Sequence, residues 1–443
     1  MDYVFALIMT GISYPLGRLL YRNKGIWLVG ERPHQAQDNG YIFYKYLREK
    51  HPERRAYYVI KKSSHHIKRI TDIGDVVYYG SLKHWLMYFG CEAVISAHIR
   101  SLLPSNNWRY KELASHHKQK NKKQIFLQHG VISANIPSLY QERTLIDLFI
   151  CGTKPEFQYV RKHFHYHDNA VQYTGLARYD SLYENKEKKK QILIMPTWRT
   201  WLVKPSCDVA NSQFMTEWNK VITDKNLIEA AKKAGYKIIV YPHSELQFAY
   251  HHFQADGDTV TVLRETEGDV RTLLIESALL ITDFSSVFFD FAYMRKPSLY
   301  FQFDRERHSQ EHYQKSYFDY KKNGFGKVSD TAPELIANVI KELETGVVLT
   351  EKYSDRINRF FPYHDRKNCE RIYHEIEKLM KRSAEHSREK KKNHQKKGAR
   401  IIDGRQISDR KRSDLGDHGQ LQYPRALPEG IDRQYSGTDL FRF

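Results

Sequence analysis

Two Rossmann-like α/β domains with a cleft between them are what this sequence predicts, on three observations. Short apolar runs of strand length alternate with helical patterns through residues 26–381, the βαβ rhythm of parallel sheets. Four of those runs end in unusual polar residues, and an open parallel sheet binds its ligands at the carboxyl ends of its strands. The chain has 443 residues, 41% hydrophobic and 13% aromatic, which is enough for two domains with cores of their own.

The elements follow in order. Tyr3 to Gly17 carries no charge, and Arg18, Arg22 and Lys24 come next. The stretch is short for a membrane span and lacks the basic leader and small-residue cleavage site of a signal peptide; Gly11, Pro15 and Gly17 weaken a continuous helix. Two readings of residues 1–22 stand. One is a membrane-interfacial anchor that dips Phe5, Leu7, Ile8, Ile12, Leu16 and Leu19 into lipid with the basic residues on anionic headgroups; the other is a buried first helix. Strands are expected at Ile26–Val29, Ala56–Ile60, Asp75–Tyr79, Ala93–Ser96 and Ile125–Leu127, with a helix over about Gly40–Lys50. Leu113–Lys123 is polar and basic and reads as a helix end and loop. Placing the boundary near residue 145 gives a first domain over 23–145 and a second over 146–383.

The second half repeats the rhythm. Strands are expected at Leu148–Cys151, Val171–Thr174, Ile192–Met195, Lys237–Tyr241, Thr259–Leu263, Leu279–Ile281 and Ser298–Phe301. Helices fit at Lys225–Ala234, Arg271–Ser277 and Ser286–Met294, and Pro333–Glu344 and Arg366–Lys381 read as closing helices. From 384 to 443 apolar periodicity is lost, and the stretch reads as a disordered basic tail.

The net charge is +19, of which +9 lies within residues 381–412. Such a balance favours anionic partners: nucleic acid, anionic lipid or phosphorylated substrates. No helix-turn-helix, zinc module or RNA-recognition signature is present, so nucleic acid is not assigned. The four cysteines lie far apart with no C-x-x-C pair, which argues for a reducing compartment and against a zinc or disulfide framework. His163, His165 and His167 alternate with no carboxylate pattern beside them, and no metal is assigned there.

The polar strand ends carry the chemistry. Ile125–Leu127 runs into Gln128-His129-Gly130, where glycine lets backbone approach a ligand closely. Ile192–Met195 runs into Pro196-Thr197-Trp198-Arg199; Arg199 either caps a loop or presents its fork to phosphate oxygens. The next end is Pro242-His243-Ser244, where His243 either packs under Pro242 or meets an anion. Thr282-Asp283-Phe284-Ser285-Ser286 turns from strand into helix, with Asp290 one turn on. Paired serines at a helix start are either an ordinary cap or an anion site. Gly175-Leu176-Ala177-Arg178-Tyr179-Asp180 puts Arg178 and Asp180 in a loop after a strand. Together these ends suggest a phosphate-handling site.

In this order, the segments resemble the CDP-glycerol glycerophosphotransferase family, the poly(glycerol phosphate) and poly(ribitol phosphate) transferases of teichoic acid and capsule synthesis. The shared motifs are His129-Gly130, the G-x-x-R-x-D loop Gly175–Asp180, Pro196–Arg199, Pro242-His243 and Thr282–Asp290, within roughly residues 20–380. Gln128, Ile132, Ala177 and Thr200 depart from residues common in the family. The resemblance implies a glycosyltransferase-B-like fold with an acceptor-side first domain and a CDP-donor-binding second domain. It implies CDP-glycerol or CDP-ribitol as donor, CMP as leaving group, and a lipid-linked acceptor at the inner face of the cell membrane. It assigns His129 as catalytic base. It places Gly130, Arg178, Asp180, Pro196, Thr197, Asp283, Ser285, Ser286 and Asp290 at the substrate. Arg199, His243 and the serine pair would neutralise the pyrophosphate, so His243 is counted with His129 as catalytic. An imidazole titrating near working pH suits the base. No cofactor is assigned and a divalent ion is left open. A nucleotide-sugar glycosyltransferase of the same architecture is the alternative.

Overall fold

The strands are apolar runs that bury both faces, as parallel strands covered by helices must. In the computed structural model, which describes residues 2–115, 122–183, 189–204, 207–311 and 317–405, they form two all-parallel sheets. The first holds β1 (Trp27–Gly30), β2 (Ala56–Ile60), β3 (Val76–Tyr78), β4 (Ala93–Ser96), β5 (Lys123–Phe126), β6 (Leu148–Cys151) and β7 (Val171–Tyr173) in the order β3-β2-β1-β4-β5-β6-β7. The second holds β8 (Gln191–Met195), β9 (Lys237–Val240), β10 (Val260–Val262), β11 (Leu279–Thr282), β12 (Ser298–Phe301) and β13 (Gly326–Ser329) in the order β10-β9-β8-β11-β12-β13. Each order reverses once, between β1 and β4 and between β8 and β11, and a ligand crevice opens beyond the strand ends at such a point.

The expected boundary near residue 145 falls inside the first sheet. Phe126 of β5 is in register with Phe149 of β6, and Phe149 with Val171 of β7, so the chain changes sheets only between Tyr173 and Gln191. Leu148–Cys151 is buried at every position and pairs on both sides, which residue pattern alone does not assign to either sheet.

The helix Tyr3–Tyr21 has a buried side and an exposed apolar side. Ala6, Ser13 and Gly17 are buried. A Cβ on Gly17 would stand 2.2 Å from the Leu86 carbonyl oxygen, and one on Gly90 2.2 Å from that of Gly17, so small residues let this helix lie against Leu82–Gly90. Phe5, Leu7, Ile8, Ile12, Leu16 and Leu19 are all exposed on its other side. By length and composition the helix is also long and apolar enough to cross a membrane.

After β13 and the helices Ala332–Glu344 and Glu351–Phe360, the chain returns to the first sheet. Tyr363 stacks on Tyr173 at 4.9 Å, and Arg371 Nε donates to the Thr174 carbonyl at 2.9 Å. Both sheets belong to one compact unit that ends at Ile372. A second unit starts at Tyr373, and its described part continues the helix Asn368–Arg405. Residues 384–405 of the expected tail are therefore helical, in keeping with a run rich in Lys, Arg and Glu, all good helix formers. The rest of that tail, 406–443, lies outside the described residues.

Candidate active site

The end of β5 carries His129 on a constrained loop. Gln128 adopts φ +61°, unusual for a residue with a side chain. Its amide bonds to the Ile150 carbonyl, and its own carbonyl accepts from Asn39 Nδ2 at 2.7 Å. The His129 carbonyl accepts from Arg178 Nη1. Its Nδ1 lies 3.4 Å from the Ala97 carbonyl. A carbonyl only accepts, so in this contact Nδ1 carries the proton and Nε2 is the basic nitrogen of the ring. Burial, with the charges of Arg32 and Arg178, pushes the imidazole down to about 3. The ring is thus neutral throughout the working range, which corrects the expectation that it titrates there.

Gly130 brings the two sheets together. A Cβ there would meet Ser286 Oγ at 2.6 Å, so the His-Gly loop after β5 touches the Ser-Ser turn after β11. The helix that follows, Val287–Tyr293, is short, and Ser285 Oγ accepts only a weak 3.4 Å bond from the Val287 amide.

Arg178, Asp180 and Asp290 have their polar groups engaged inside the protein. Arg178 grips Asp290 at two points, Nε to Oδ1 at 2.5 Å and Nη2 to Oδ2 at 2.7 Å, and its Nη1 reaches Asp38 at 2.7 Å. One guanidinium thereby ties the start of the second helix, the His-Gly loop and the helix after β11. Asp180 accepts from the Asn368 and Cys369 amides at 2.9 and 2.8 Å and from Asn368 Nδ2 at 2.6 Å, holding the returning chain. Gly175 sits at φ +80°, where a Cβ would also strike Asn368. The G-x-x-R-x-D loop is a structural knot beside the site.

Arg199 departs furthest from expectation. It is 0% exposed, with Nε on Asp304 at 2.7 Å, Nη2 on Asp304 at 3.0 Å and Asp283 at 2.8 Å, and Nη1 on the Thr197 carbonyl at 2.7 Å. The rings of Phe214 and Phe284 lie 5.3 and 5.0 Å from it. It presents no fork to a phosphate; it locks the ends of β8, β11 and β12. Asp283 Oδ1 adds bonds from the Thr197 and Phe284 amides at 2.9 and 2.7 Å.

What this frame leaves at the ends of β8 and β9 is neutral. Thr197 Oγ1 is buried with no hydrogen-bond partner among the described residues. The Pro196 carbonyl takes the His243 amide at 3.4 Å. His243 Nδ1 accepts from the Glu245 amide at 3.1 Å, which puts its proton on Nε2 as a donor. Burial, then Arg32, lowers its pKa to about 4. A cavity of about 330 Å³ adjoins the joint, with His129, Gly130 and Ser286 on one side and Gln302, Arg305 and Lys321 among its other walls.

Sequence reasoning missed Arg32 and His98. Both follow first-sheet strands, β1 and β4, at the point where the strand order reverses. The strand-end rule that found His129 would have found them: Gly30 and Pro33 bracket Glu31-Arg32 and were signal enough, whereas Ala97-His98 has no glycine or proline beside it.

Relatives bear on the identity. A teichoic acid glycerol-phosphate transferase of Staphylococcus aureus is 25% identical over 70% of this chain and 81% of its own length. The minor teichoic acid biosynthesis protein GgaB of Bacillus subtilis is 34% identical over 81% of this chain, which spans 40% of that longer protein. The fold matches a structure of the wall teichoic acid polymerase TagF, a variant soaked with CDPG, at TM-score 0.59 and 17% identity, covering 87% of this chain and all of that one. The model of the CDP-glycerol:poly(glycerophosphate) glycerophosphotransferases matches residues 14–378, and the chain belongs to that family of transferases.

Proposed function

We propose that the chain transfers a polyol phosphate, glycerol phosphate first among candidates and ribitol phosphate second, from a CDP-linked donor to a hydroxyl of a lipid-linked acceptor. The observation that carries this is the contact of His129-Gly130 with Ser286, beside the neutral donors Thr197 and His243. Family membership and the CDPG-soaked TagF support the donor class.

In this reading the diphosphate lies along the ends of β8, β9 and β11, taking hydrogen bonds from Thr197 Oγ1, His243 Nε2–H and the Ser285 and Ser286 groups. The acceptor hydroxyl comes from the 330 Å³ cavity. Its oxygen attacks the β-phosphorus, its proton passes to His129 Nε2, and the bond to the CMP oxygen breaks with its electron pair leaving on CMP. A base that burial holds down to about 3 is weak. The donor's negative charges, arriving near Arg32 and Arg178, offset the charges that depress it and so raise its proton affinity. The exposed apolar side of Tyr3–Tyr21, with Arg18 in its last turn, supports peripheral attachment to the anionic cytoplasmic face of the membrane.

The deciding experiment incubates purified protein with CDP-glycerol or CDP-ribitol and a lipid-linked acceptor and weighs the product. A mass gain of one or more polyol phosphates with release of CMP supports the reading. Transfer of a sugar from a nucleotide sugar, with neither polyol donor consumed, would sink it.

A further inference from the structure

His98 belongs to none of the motifs, yet its ring lies flat against that of His129. The two imidazoles stack with centroids 4.6 Å apart and planes 9° from parallel. His98 is 8% exposed, and neither of its ring nitrogens has a hydrogen-bond partner among the described residues. A buried polar ring without hydrogen-bond partners costs stability, on the order of 1–3 kcal/mol for an unsatisfied group, so what this ring contributes here is its face against His129 and not its nitrogens.

Its backbone is well fixed. The amide takes Ser96 Oγ at 3.1 Å, and the carbonyl accepts from Ser101 Oγ at 3.0 Å. His98 directly follows Ala97, whose carbonyl faces His129 Nδ1. Two consecutive residues beyond β4 therefore hold one ring, one at its edge and one across its face. The edge contact is long, at 3.4 Å, and a contact of that length leaves an imidazole room to swing about its axis. A parallel plate against the face removes that rotation. Burial also keeps His98 neutral, so a proton on His129 would meet an aromatic face and not a second cation.

We infer that His98 is a positioning residue for His129: its ring is the plate that holds the base with Nδ1 on Ala97 and Nε2 turned toward the reacting hydroxyl. The inference rests on the proposed role of His129, and the test separates the two. His98→Phe keeps a flat ring and removes both nitrogens; His98→Leu keeps bulk without a flat face; His98→Ala removes both. With CDP-glycerol and a lipid-linked acceptor, His98→Phe should keep kcat within about threefold. His98→Leu and His98→Ala should lose about 10- to 100-fold in kcat, the scale of a small misplacement of a catalytic group. Calorimetric affinity for CDP-glycerol should stay within about twofold in all three. Native kcat in His98→Leu, equal damage in His98→Phe and His98→Leu, or a loss carried by donor affinity would overturn the inference.

A second readout does not need turnover. In protein with 15N-labelled histidine, the resonances lost in His129→Ala identify that ring. They should report one tautomer, protonated at Nδ1, in the native protein and in His98→Phe, and a mixture in His98→Leu. An unchanged tautomer in His98→Leu defeats the inference even if the native chain transfers nothing, whereas absent transfer with the tautomer shift intact defeats only the proposed reaction.

Discussion

Replacing Arg199 with alanine separates a phosphate ligand from a structural lock. The side chain is 0% exposed and neutralises Asp283 and Asp304, both buried. Removing it strands two carboxylates in the interior, and breaking a buried ion pair by deleting one partner costs roughly 3–5 kcal/mol. Against a total stability of about 5–15 kcal/mol that is a large share, and in a unit of this size it should lower the melting temperature by roughly 5 °C. A compensated variant sharpens the test. Asp283 uses Oδ1 for the Thr197 and Phe284 amides, and an asparagine oxygen can accept both. Arg199→Met combined with Asp283→Asn and Asp304→Asn should therefore regain most of the lost stability, with near-native affinity for CDP-glycerol. Thermal and urea melts with calorimetric titration read both quantities. If Arg199→Ala melts within about 2 °C of the native protein yet loses tenfold or more in donor affinity, the guanidinium contacts phosphate after all and the structural argument fails.

Gly130→Ala should fold normally, since glycine there has no positive φ, but its methyl would meet Ser286 Oγ at 2.6 Å and push the hydroxyl aside. Turnover should fall at least tenfold with the melting temperature nearly unchanged, and a fully active variant would mean the two loops do not work together. Stability should also rise with pH between about 5 and 6. Burial lowers His84 and His129 to about 3, His243 to about 4 and His98 well below normal, whereas it raises Glu31 and Glu156 to about 7. Among these deeply buried groups the unfolded chain in that window binds four histidine protons that the fold refuses and lacks two glutamate protons that the fold keeps, and half-buried His66, lowered to about 4, adds in the same direction. The net of two gives a slope on the order of 2–3 kcal/mol per pH unit; a flat stability profile from urea melts would contradict these burials. On the membrane side, Ile8→Gln, Ile12→Gln and Leu16→Gln together leave the buried side of Tyr3–Tyr21 intact. They should weaken flotation with anionic vesicles about a hundredfold, at about 1 kcal/mol per partly exposed side chain; unchanged flotation would move attachment elsewhere.

Most strands were legible because both their faces are buried and the residues say so. Leu279–Thr282 is buried at every position and bounded by a helix end and a polar turn. β13, Gly326–Ser329, escaped notice because it is an edge strand with Lys327 and Ser329 in place of an apolar run. The domain boundary was misplaced for a different reason. Parallel pairing joins residues far apart in the chain, and nothing within Leu148–Cys151 says whether its neighbours are β5 and β7 or β8. The helix through residues 384–405 was read as a tail because it lacks apolar periodicity, although backbone propensity there is high.

The strand-end rule located the site but could not tell its ligands from its ties. Arg199 and Asp304 lie 105 positions apart in sequence, and Arg178 and Asp290 lie 112 apart. From the sequence Arg178, Arg199 and Asp290 look like charges offered to substrate; in the fold each is half of an internal pair. The division has a physical logic. A buried charge must be paired, so charges suit the work of locking strand ends together. Thr197 and His243 are buried neutral groups, and a neutral donor can wait in a dry site at a far smaller cost than a charge would incur. Substitutions at the paired residues should therefore act first on stability. Those at His129, Thr197, His243 and Ser286 should act first on donor affinity or turnover, although all of them stem from the same few strand ends.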